Sequence, residues 1–410
     1  MGGELRGPLA LGGETIDRRL SRRLSPERGG ELRGPLPSEG SWLVQKYIKM
    51  GMMMVKRCDI LCLVMKKKKN GKEKDGNRYK VCIFVGMEAE KGHEIMLVGI
   101  ASALHFLVDC LCVCGLYLML YPFQLPEVVS VVVTYNVTAF LTQPITGIVA
   151  DRARRPHLLQ FGALSLLSCG VVMSMGTLLS SQLHTSAWSL HAVAVLLGLG
   201  NSLFHVWGGR QVAVRTRNDI RSLGVFVSTG AVGLAVGYLF YSWQLLCVLL
   251  LMLSLLSIAY VRLDGKTERV ELREMMGTPL RQPLVWLAMI VLMAVVMMRS
   301  QTSERFSSGL VNGDAMVLVA GLVAMSGKMA GGWISRWMGV VKALALILVG
   351  VLVCWFFRGY GVAVLLLGVF VINCSMPITL YLANVVLKGR EGLAFGLLAA
   401  ALVLGLAFKN

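Results

Sequence analysis

The chain has 410 residues, of which 55% are hydrophobic and only 16% are charged, against roughly 25% charged in an ordinary soluble protein. A soluble chain of this length cannot hide so much apolar surface from water, so the composition excludes a set of soluble domains and favours a protein whose solvent is lipid. The net charge of +18 excludes a chain near neutrality, and in a membrane protein it reports mainly on topology.

Residues 1–95 differ in composition from the rest, since they hold 20 of the 41 Lys and Arg residues. The string GGELRGPL occurs at 2–9 and again at 29–36, and four lysines follow one another at 66–69. Apolar runs here are much shorter than the ~20 residues of a spanning helix, and like-charge blocks are usually disordered. We predict a basic, disordered extension. Three interpretations are open: a non-native addition, a native cytoplasmic tail, or an arm that binds nucleic acid or anionic lipid.

From Met96 onward, apolar stretches alternate with short polar breaks. Eleven stretches are long enough, or nearly so, to cross ~30 Å of hydrocarbon at about 1.5 Å per residue. Because only helices satisfy their own backbone in lipid one segment at a time, the sequence predicts an all-α polytopic membrane protein. The predicted spans are 96–120, 128–150, 157–179, 187–207, 223–243, 245–261, 283–302, 315–334, 341–357, 362–386 and 393–408.

The basic residues of the predicted loops fall mainly on one side. With the N-terminus in the cytoplasm, the cytoplasmic side holds 17 Lys and Arg residues from Arg152 onward, Lys328 among them, whereas the other side holds 4. Cytoplasmic loops carry such an excess. We therefore predict an integral protein of the plasma membrane, which is the cytoplasmic or inner membrane in a bacterium, with a cytoplasmic N-terminus.

The most charged predicted loop separates six spans from five. We predict an N-terminal six-helix half over 96–262, a cytoplasmic linker over 263–282, and a C-terminal half over 283–410. This arrangement is a six-plus-six plan in which the twelfth helix is missing, through truncation or natural loss.

A short motif, Gly-x-x-x-(Asp/Ser)-Arg, follows both the second and the eighth predicted span, and the copies lie 184 residues apart. Repeated halves with a site between them are typical of transporter folds. An acid at a helix end can pair with a neighbouring helix in one state and part from it in another. We therefore assign five residues of the two copies to a conformational switch: Gly147, Asp151, Arg152, Gly331 and Arg336. Ordinary loop charges are the alternative for Asp151 and Arg152.

The motif resembles that of the major facilitator superfamily, whose loop between helices two and three carries Gly-x-x-x-Asp-Arg and further basic residues. Other stretches resemble the fosmidomycin-resistance branch: His105-Phe106-x-x-Asp109, Gln143-Pro144-x-x-Gly147, Gly200-Asn201-Ser202-Leu203-Phe204-His205, Arg299-Ser300, Pro377 and Gly392-Leu393-Ala394-x-Gly396. The resemblance extends over about residues 96–408. It implies a bundle of two six-helix halves and proton-driven export of small molecules by alternating access.

Charged residues within lipid are costly and usually functional. His105 and Asp109 lie four residues apart in the first span, so they share one face of a helix. A carboxylate beside an imidazole at low dielectric can hold or release a proton near neutral pH. We assign proton coupling to this pair, and a structural pair that joins neighbouring helices is the alternative.

Polar residues in other spans are candidates for substrate contact and translocation: Gln143, Asn201, His205, Arg210 and Arg299. The alternatives are a helix-end hydrogen bond for His205, a positive-side anchor for Arg210, and a snorkelling side chain for Arg299 if its helix ends early. Small residues in the fifth span, among them Gly230 and Gly233, have the spacing of close helix packing, and we interpret them as packing alone.

The sequence has no Walker loop, Rossmann fingerprint or nucleophile elbow, and its ten cysteines do not converge on a metal. We predict a protein that is not an enzyme and needs no cofactor or metal, with the proton gradient as its energy source. Its partners are membrane lipid, a small-molecule substrate and protons, without nucleic acid, and it acts as a monomer. The predicted function is export of a drug or metabolite; an uptake symporter for a small anionic metabolite and a truncated, non-transporting protein are the alternatives.

Overall fold

The computed structural model describes residues 76–120, 123–179, 187–264, 280–310 and 313–407. Throughout these ranges the backbone is helical apart from short connections, and it contains no β-strand. Most of the predicted basic extension (1–75) and of the predicted linker (265–279) lies outside the described residues. The described residues from Glu90 onward form one compact unit.

Eleven helices, α1 to α11, correspond one to one with the eleven predicted apolar stretches. Their bounds are α1 Gly76–Leu120, α2 Leu125–Arg152, α3 His157–Leu179, α4 Ala187–Arg215, α5 Ile220–Leu239, α6 Trp243–Asp264, α7 Pro283–Ser308, α8 Asp314–Met338, α9 Val340–Phe356, α10 Val362–Val386 and α11 Glu391–Ala407.

Within the described ranges, nine of these helices are long and apolar enough to cross a membrane. The other two, α9 and α11, have 17 residues each, or about 26 Å of helix at 1.5 Å per residue. The prediction of an all-α polytopic membrane protein is confirmed, while the number of crossings stays a prediction.

Several helices continue beyond the apolar stretch that predicted them. Helix α1 begins at Gly76 instead of Met96, and α4 continues to Arg215, eight residues past its predicted end. A helix satisfies its own backbone hydrogen bonds and can therefore extend into water, whereas hydropathy marks only the part that suits lipid.

Lys328 is not a loop residue, contrary to its place in our count of basic residues. It lies inside α8, ten residues before the helix ends at Met338. Arg299, counted on the opposite side, lies within α7. Removing both from the count leaves sixteen basic residues against three, so the charge bias that predicts the orientation persists.

Proline at position 144 removes a helix hydrogen bond, so the sequence predicts a kink in the second span, and helix α2 is interrupted just before this residue. A π-helical turn covers Val137–Leu141, and the α-helix resumes at Gln143. Proline lacks a backbone N–H, and its ring clashes with the carbonyl four residues earlier, here Phe140. The extra residue of a π turn accommodates this clash.

At one end of the bundle, the first six helices touch the last five without intervening side chains. A Cβ atom on Gly147 of α2 would lie 2.7 Å from the backbone of Gly392 in α11, and one on Gly332 of α8 would lie 2.7 Å from the carbonyl oxygen of Ile220 in α5. We call this the basic end, because the Arg-rich connections around Arg152 and Arg217 lie there.

A buried acid ties three helices together at the basic end. Asp264, the last residue of α6, has no exposed surface. Its carboxylate pairs with Nε2 of His157 in α3 at 2.9 Å and with the guanidinium of Arg215 in α4. The pairing compensates a charge that would otherwise be costly to bury.

Replacing Gly233 with alanine should destabilise the bundle by about 1–3 kcal/mol, because overpacking a tight contact forces the helices apart. The new Cβ would lie 3.2 Å from Cβ of Asp109 and would crowd the carbonyl oxygen of Phe106 on α1. The measurement is thermal unfolding of the purified protein in detergent.

Gly176→Ala is the matched control, since this glycine lies in α3 with no atom near its missing Cβ. We expect it to be neutral or stabilising by up to about 1 kcal/mol through helix propensity. Equal melting temperatures for the two variants would contradict the close contact between α5 and α1.

Candidate functional site

Two histidines and an aspartate from separate helices meet inside the bundle. His105 and Asp109 lie on α1, and His205 lies on α4; they are 5%, 7% and 7% exposed. The two Nε2 atoms are 2.9 Å apart, and each lies 3.3 Å from an oxygen of the Asp109 carboxylate. We call these residues the His–Asp cluster. The structure thus joins His205 to the pair assigned to proton coupling.

Backbone carbonyls fix the orientation of both imidazoles. His105 donates from Nδ1 to the carbonyl oxygen of Phe226 in α5 at 2.7 Å, and His205 donates from Nδ1 to that of Asn201 at 3.0 Å. A carbonyl oxygen can only accept, so each Nδ1 carries a hydrogen. In the neutral state both Nε2 atoms therefore present lone pairs to one another and to the carboxylate. This convergence of electron-rich atoms requires a cation at its centre.

Polar residues and a glycine complete the site on its other sides. Asn201 donates from Nδ2 to Asp109 at 3.3 Å and to the hydroxyl oxygen of Tyr135 in α2 at 3.1 Å. A Cβ atom on Gly230 of α5 would lie 2.7 Å from Nε2 of His105 and would overlap the Asp109 carboxylate. Our interpretation of Gly230 as packing alone was therefore incomplete, because its missing side chain makes room for the cluster.

Two cations from the last five helices face this region, and we call them the cation pair: Arg299 and Lys328. Arg299 is 7% exposed, and its Nε has no hydrogen-bond partner. Lys328 interacts electrostatically with Arg299 and Asp109. Sequence reasoning missed Lys328, although a lysine inside the predicted span 315–334 was itself a signal.

An open, shallow cavity of ≈ 300 Å³ lies between α5, α7, α8 and α10. Ser303 in α7, Ala324 in α8 and Asn373 in α10 are among its lining residues. Ser303 follows Arg299 by one helical turn, and Ala324 precedes Lys328 by one turn. Because α7 runs away from the basic end and α8 runs towards it, the cation pair lies on the side of the cavity nearer the basic end.

Asp151, from the first copy of the repeated motif, caps the N-terminus of α11. Its carboxylate accepts hydrogen bonds from the backbone N–H groups of Gly392 at 2.8 Å and Leu393 at 2.9 Å, and from Nε of Arg210 at 3.2 Å. An acid at a helix N-terminus satisfies free N–H groups and interacts favourably with the helix dipole. This contact holds α2, α4 and α11 together at the basic end.

The second copy of the motif makes no such contact. The hydroxyl of Ser335 donates to the carbonyl oxygen of Gly331 in its own helix at 2.7 Å, and Arg336 is exposed. Gly331 packs on Cys374 of α10, whereas its neighbour Gly332 packs on α5. A serine hydroxyl bonds readily within its own helix. The second copy of the motif therefore joins the helices through packed glycines, whereas the first copy joins them through the charge of Asp151.

The remaining predicted residues lie away from the His–Asp cluster. Arg210, grouped with the substrate residues from sequence, belongs to the Asp151 contact. Gln143 is fully buried, and its side-chain amide donates to the carbonyl oxygen of Ala139 at 2.8 Å. Its backbone carbonyl lies against Gly396 of α11, where a side chain would not fit. It therefore lies at the interface of α2 and α11.

The ligand atoms of the His–Asp cluster lie within 4.8 Å of one another, a spacing that suits either a shared proton or a metal ion. The surrounding charges distinguish between a proton and a metal ion at this position. Lys328 is near enough to Asp109 for their charges to interact, and at low dielectric a positive charge repels a divalent ion more strongly than a proton.

No protein-family model and no curated protein matches the sequence. Solved structures do match the fold. The E. coli fucose:proton symporter FucP superposes with a TM-score of 0.56 at 11% identity, over 76% of this chain and 89% of that chain. FucP in the outward conformation gives 0.57 at 10% identity, over 76% and 90%. A bacterial homologue of the iron transporter ferroportin, in its outward-facing state, gives 0.52 at 13% identity, over 76% and 91%.

The chain has the fold of the major facilitator superfamily. At these identities the likeness establishes the fold alone, and the resemblance to the fosmidomycin-resistance branch stays a prediction. The helices long enough to cross a membrane and this fold together make the chain an integral membrane protein.

Replacing Asp151 with alanine should loosen the basic end. The amides of Gly392 and Leu393 lose charge-assisted acceptors, so we expect their hydrogen exchange to become at least about tenfold faster. The measurement is hydrogen–deuterium exchange of the peptide that contains both residues.

Asp219→Ala provides the matched control, because Asp219 caps α5 through the backbone N–H of Ser222 at 3.3 Å. It should speed exchange at the start of α5 and leave α11 unchanged. Exchange at Gly392 that is the same in Asp151→Ala and in the wild type would show that Asp151 does not hold α11.

Proposed function

We propose that the chain is a secondary active transporter that couples the movement of a small molecule to protons by alternating access. The observation that carries the proposal is the buried His–Asp cluster, three titratable groups that need a cation, within a bundle of the major facilitator fold. A proton gradient supplies the energy and no cofactor takes part. We further propose a monomer in the plasma membrane, with the basic end in the cytoplasm.

Contacts at the basic end support alternating access. The Asp151 cap and the Gly147–Gly392 contact close this end, while the cavity lies towards the other end of α7 and α8. Hydrogen bonds at a helix terminus can be exchanged for water without unfolding the helix. Parting at these contacts would open the basic end, which the present arrangement holds closed.

A short chain of contacts connects the His–Asp cluster with the basic end. The imidazole of His105 stacks on Phe226 at 4.7 Å and donates to its carbonyl. Phe226 contacts Phe395 of α11, with ring centroids 6.3 Å apart. Phe395 lies one turn after Gly392, which Asp151 holds. Protonation that moves His105 can therefore shift the helix on which closure depends.

Two directions of transport follow from different observations. Export, the direction expected from sequence, has its support in the resemblance of His105-Phe106-x-x-Asp109 and its companions to the fosmidomycin-resistance branch. Uptake by symport with an anion is the second candidate, and the cation pair favours it. The likeness to a fucose:proton symporter is compatible with either direction, because it establishes the fold alone.

Replacing Asp109 with asparagine should abolish coupled proton movement, because the cluster loses the charge that holds its proton. The full-length chain would be reconstituted in liposomes that contain a pH-sensitive dye. Methylphosphonate, lactate, inorganic phosphate and ethidium would then be added separately. We expect at least one compound to drive a proton flux, and the Asp109→Asn flux to be at least about tenfold smaller.

Asp219→Asn makes the same chemical change outside the cluster and should leave the flux at the wild-type level. An undiminished flux in Asp109→Asn would contradict the proposal. A flux that requires added Zn²⁺ and disappears with a chelator would identify a metal, and not a proton, as the coupled ion. The absence of any flux from folded, oriented protein would favour the non-transporting alternative.

A further inference from the structure

The cation pair has no compensating charge of its own. Among the described residues, neither Arg299 nor Lys328 forms an ion pair, and the nearby acid, Asp109, is already shared by His105, His205 and Asn201. With neutral histidines, these charged groups sum to one net positive charge. An uncompensated charge costs several kcal/mol in a low-dielectric interior, and intramembrane charges normally face a partner or a substrate path.

The placement of Lys328 follows from how α8 packs along α5. The carbonyl oxygen of Lys328 lies 2.9 Å from the position that a Cβ atom on Gly224 of α5 would take. Gly321, two turns earlier in α8, packs on Ala231 of α5. The two helices are therefore antiparallel, and the backbone of Lys328 lies at the level of Gly224, nearer the basic end than Gly230. Side chains tilt towards the N-terminus of their own helix, so the ammonium group of Lys328 is directed towards Gly230 and the cavity.

Arg299 approaches from the opposite wall. It is more than nine-tenths buried, with Nε unpartnered, one turn before the cavity-lining Ser303. The polar residues that line the cavity are uncharged, and Asn373 of α10 and Ser303 of α7 can donate hydrogen bonds into it. A guanidinium and an ammonium group beside a cavity of ≈ 300 Å³ form a site for a carboxylate or a phosphonate, since both cations hold such groups through charge-assisted hydrogen bonds.

We infer that the substrate is a small organic anion, which Arg299 and Lys328 bind and which crosses the membrane together with the proton of the His–Asp cluster. This inference rests on the proposed function and adds the substrate class and the sign of coupling. The anion is attracted by the net positive charge, and a proton on the cluster increases that charge. Proton and anion therefore strengthen one another's binding, and by linkage the effect is reciprocal. Mutual strengthening produces symport, whereas antiport requires competition.

The charged and titratable groups around the His–Asp cluster are compatible with this mutual strengthening of proton and anion binding. Helix α1 contributes His105 and Asp109, α4 contributes His205, and α5 contributes a carbonyl and a glycine. Cys112 of α1 and Tyr135 of α2 are neutral at ordinary pH. Beyond the cation pair, Glu304, Arg305 and Asp314 lie further towards the end opposite the basic end. Arg336 of α8 lies towards the basic end, where it is exposed.

The first experiment measures anion binding by the shift in thermal unfolding of the detergent-purified full-length chain. The probes are acetate, lactate, succinate, inorganic phosphate and methylphosphonate, raised to tens of millimolar at constant ionic strength, with glycerol and tetraethylammonium as neutral and cationic comparisons. We expect at least one anion to stabilise the wild type. Arg299→Gln and Lys328→Gln should each weaken that binding by roughly ten- to a hundredfold.

Matched variants distinguish the loss of a binding charge from damage to the fold. Lys342→Gln removes an exposed lysine at the start of α9 and should bind like the wild type. Lys328→Arg keeps the charge and should retain most of the affinity. Stabilisation that is unaffected by either glutamine variant would overturn the inference. So would the absence of stabilisation by every anion, because an uncompensated cation pair beside a cavity should bind any small anion that fits.

The second experiment tests the sign of coupling. The stabilising anion is added to protein in a weakly buffered solution with a pH indicator, and symport predicts that protein takes up protons as the anion binds. Proton release would overturn symport. Anion binding that needs Arg299 and Lys328 without proton movement would leave the anion site standing and refute proton coupling. A proton flux driven only by ethidium and unchanged in Lys328→Gln would support the proposed function and refute the anion.

Discussion

The structure depends on how a few charges are held in a low-dielectric interior. Asp109 is the centre of that arrangement, because two imidazoles and an amide converge on its carboxylate. The backbone carbonyls that take up both Nδ1 hydrogens leave the Nε2 atoms facing one another. Such an arrangement of lone pairs is satisfied only with a cation between them, and this requirement is the basis of the proton coupling proposed above.

Close contact between backbones makes this arrangement possible. A side chain on Gly230 would occupy the space of the Asp109 carboxylate, and one on Gly147 would separate α2 from α11. The same type of contact therefore serves the centre of the bundle and its basic end. A site built this way is sensitive to small relative movements of the helices, because no flexible side chain lies between them to absorb a shift.

The two copies of the repeated motif have diverged in their physical role. Asp151 reaches across to α11 and satisfies two of its terminal N–H groups, whereas Ser335 bonds within its own helix and Asp219 caps α5 locally. Closure at the basic end thus combines one charged contact with one contact of packed glycines. The charged contact is open to competition from water, so the opening proposed above would begin there.

The sequence by itself determined the membrane class, the eleven helices, the distortion before Pro144 and the His105–Asp109 pair, because each depends on local periodicity, hydropathy or a four-residue spacing. It also indicated Asp151 as a contact residue. Only the tertiary structure joined His205 to the pair, moved Arg210 to the Asp151 contact, gave Gly230 its role and placed Lys328 inside α8 against α5. These relations connect residues 59 or more positions apart, and which helix faces meet is set by packing across the whole bundle.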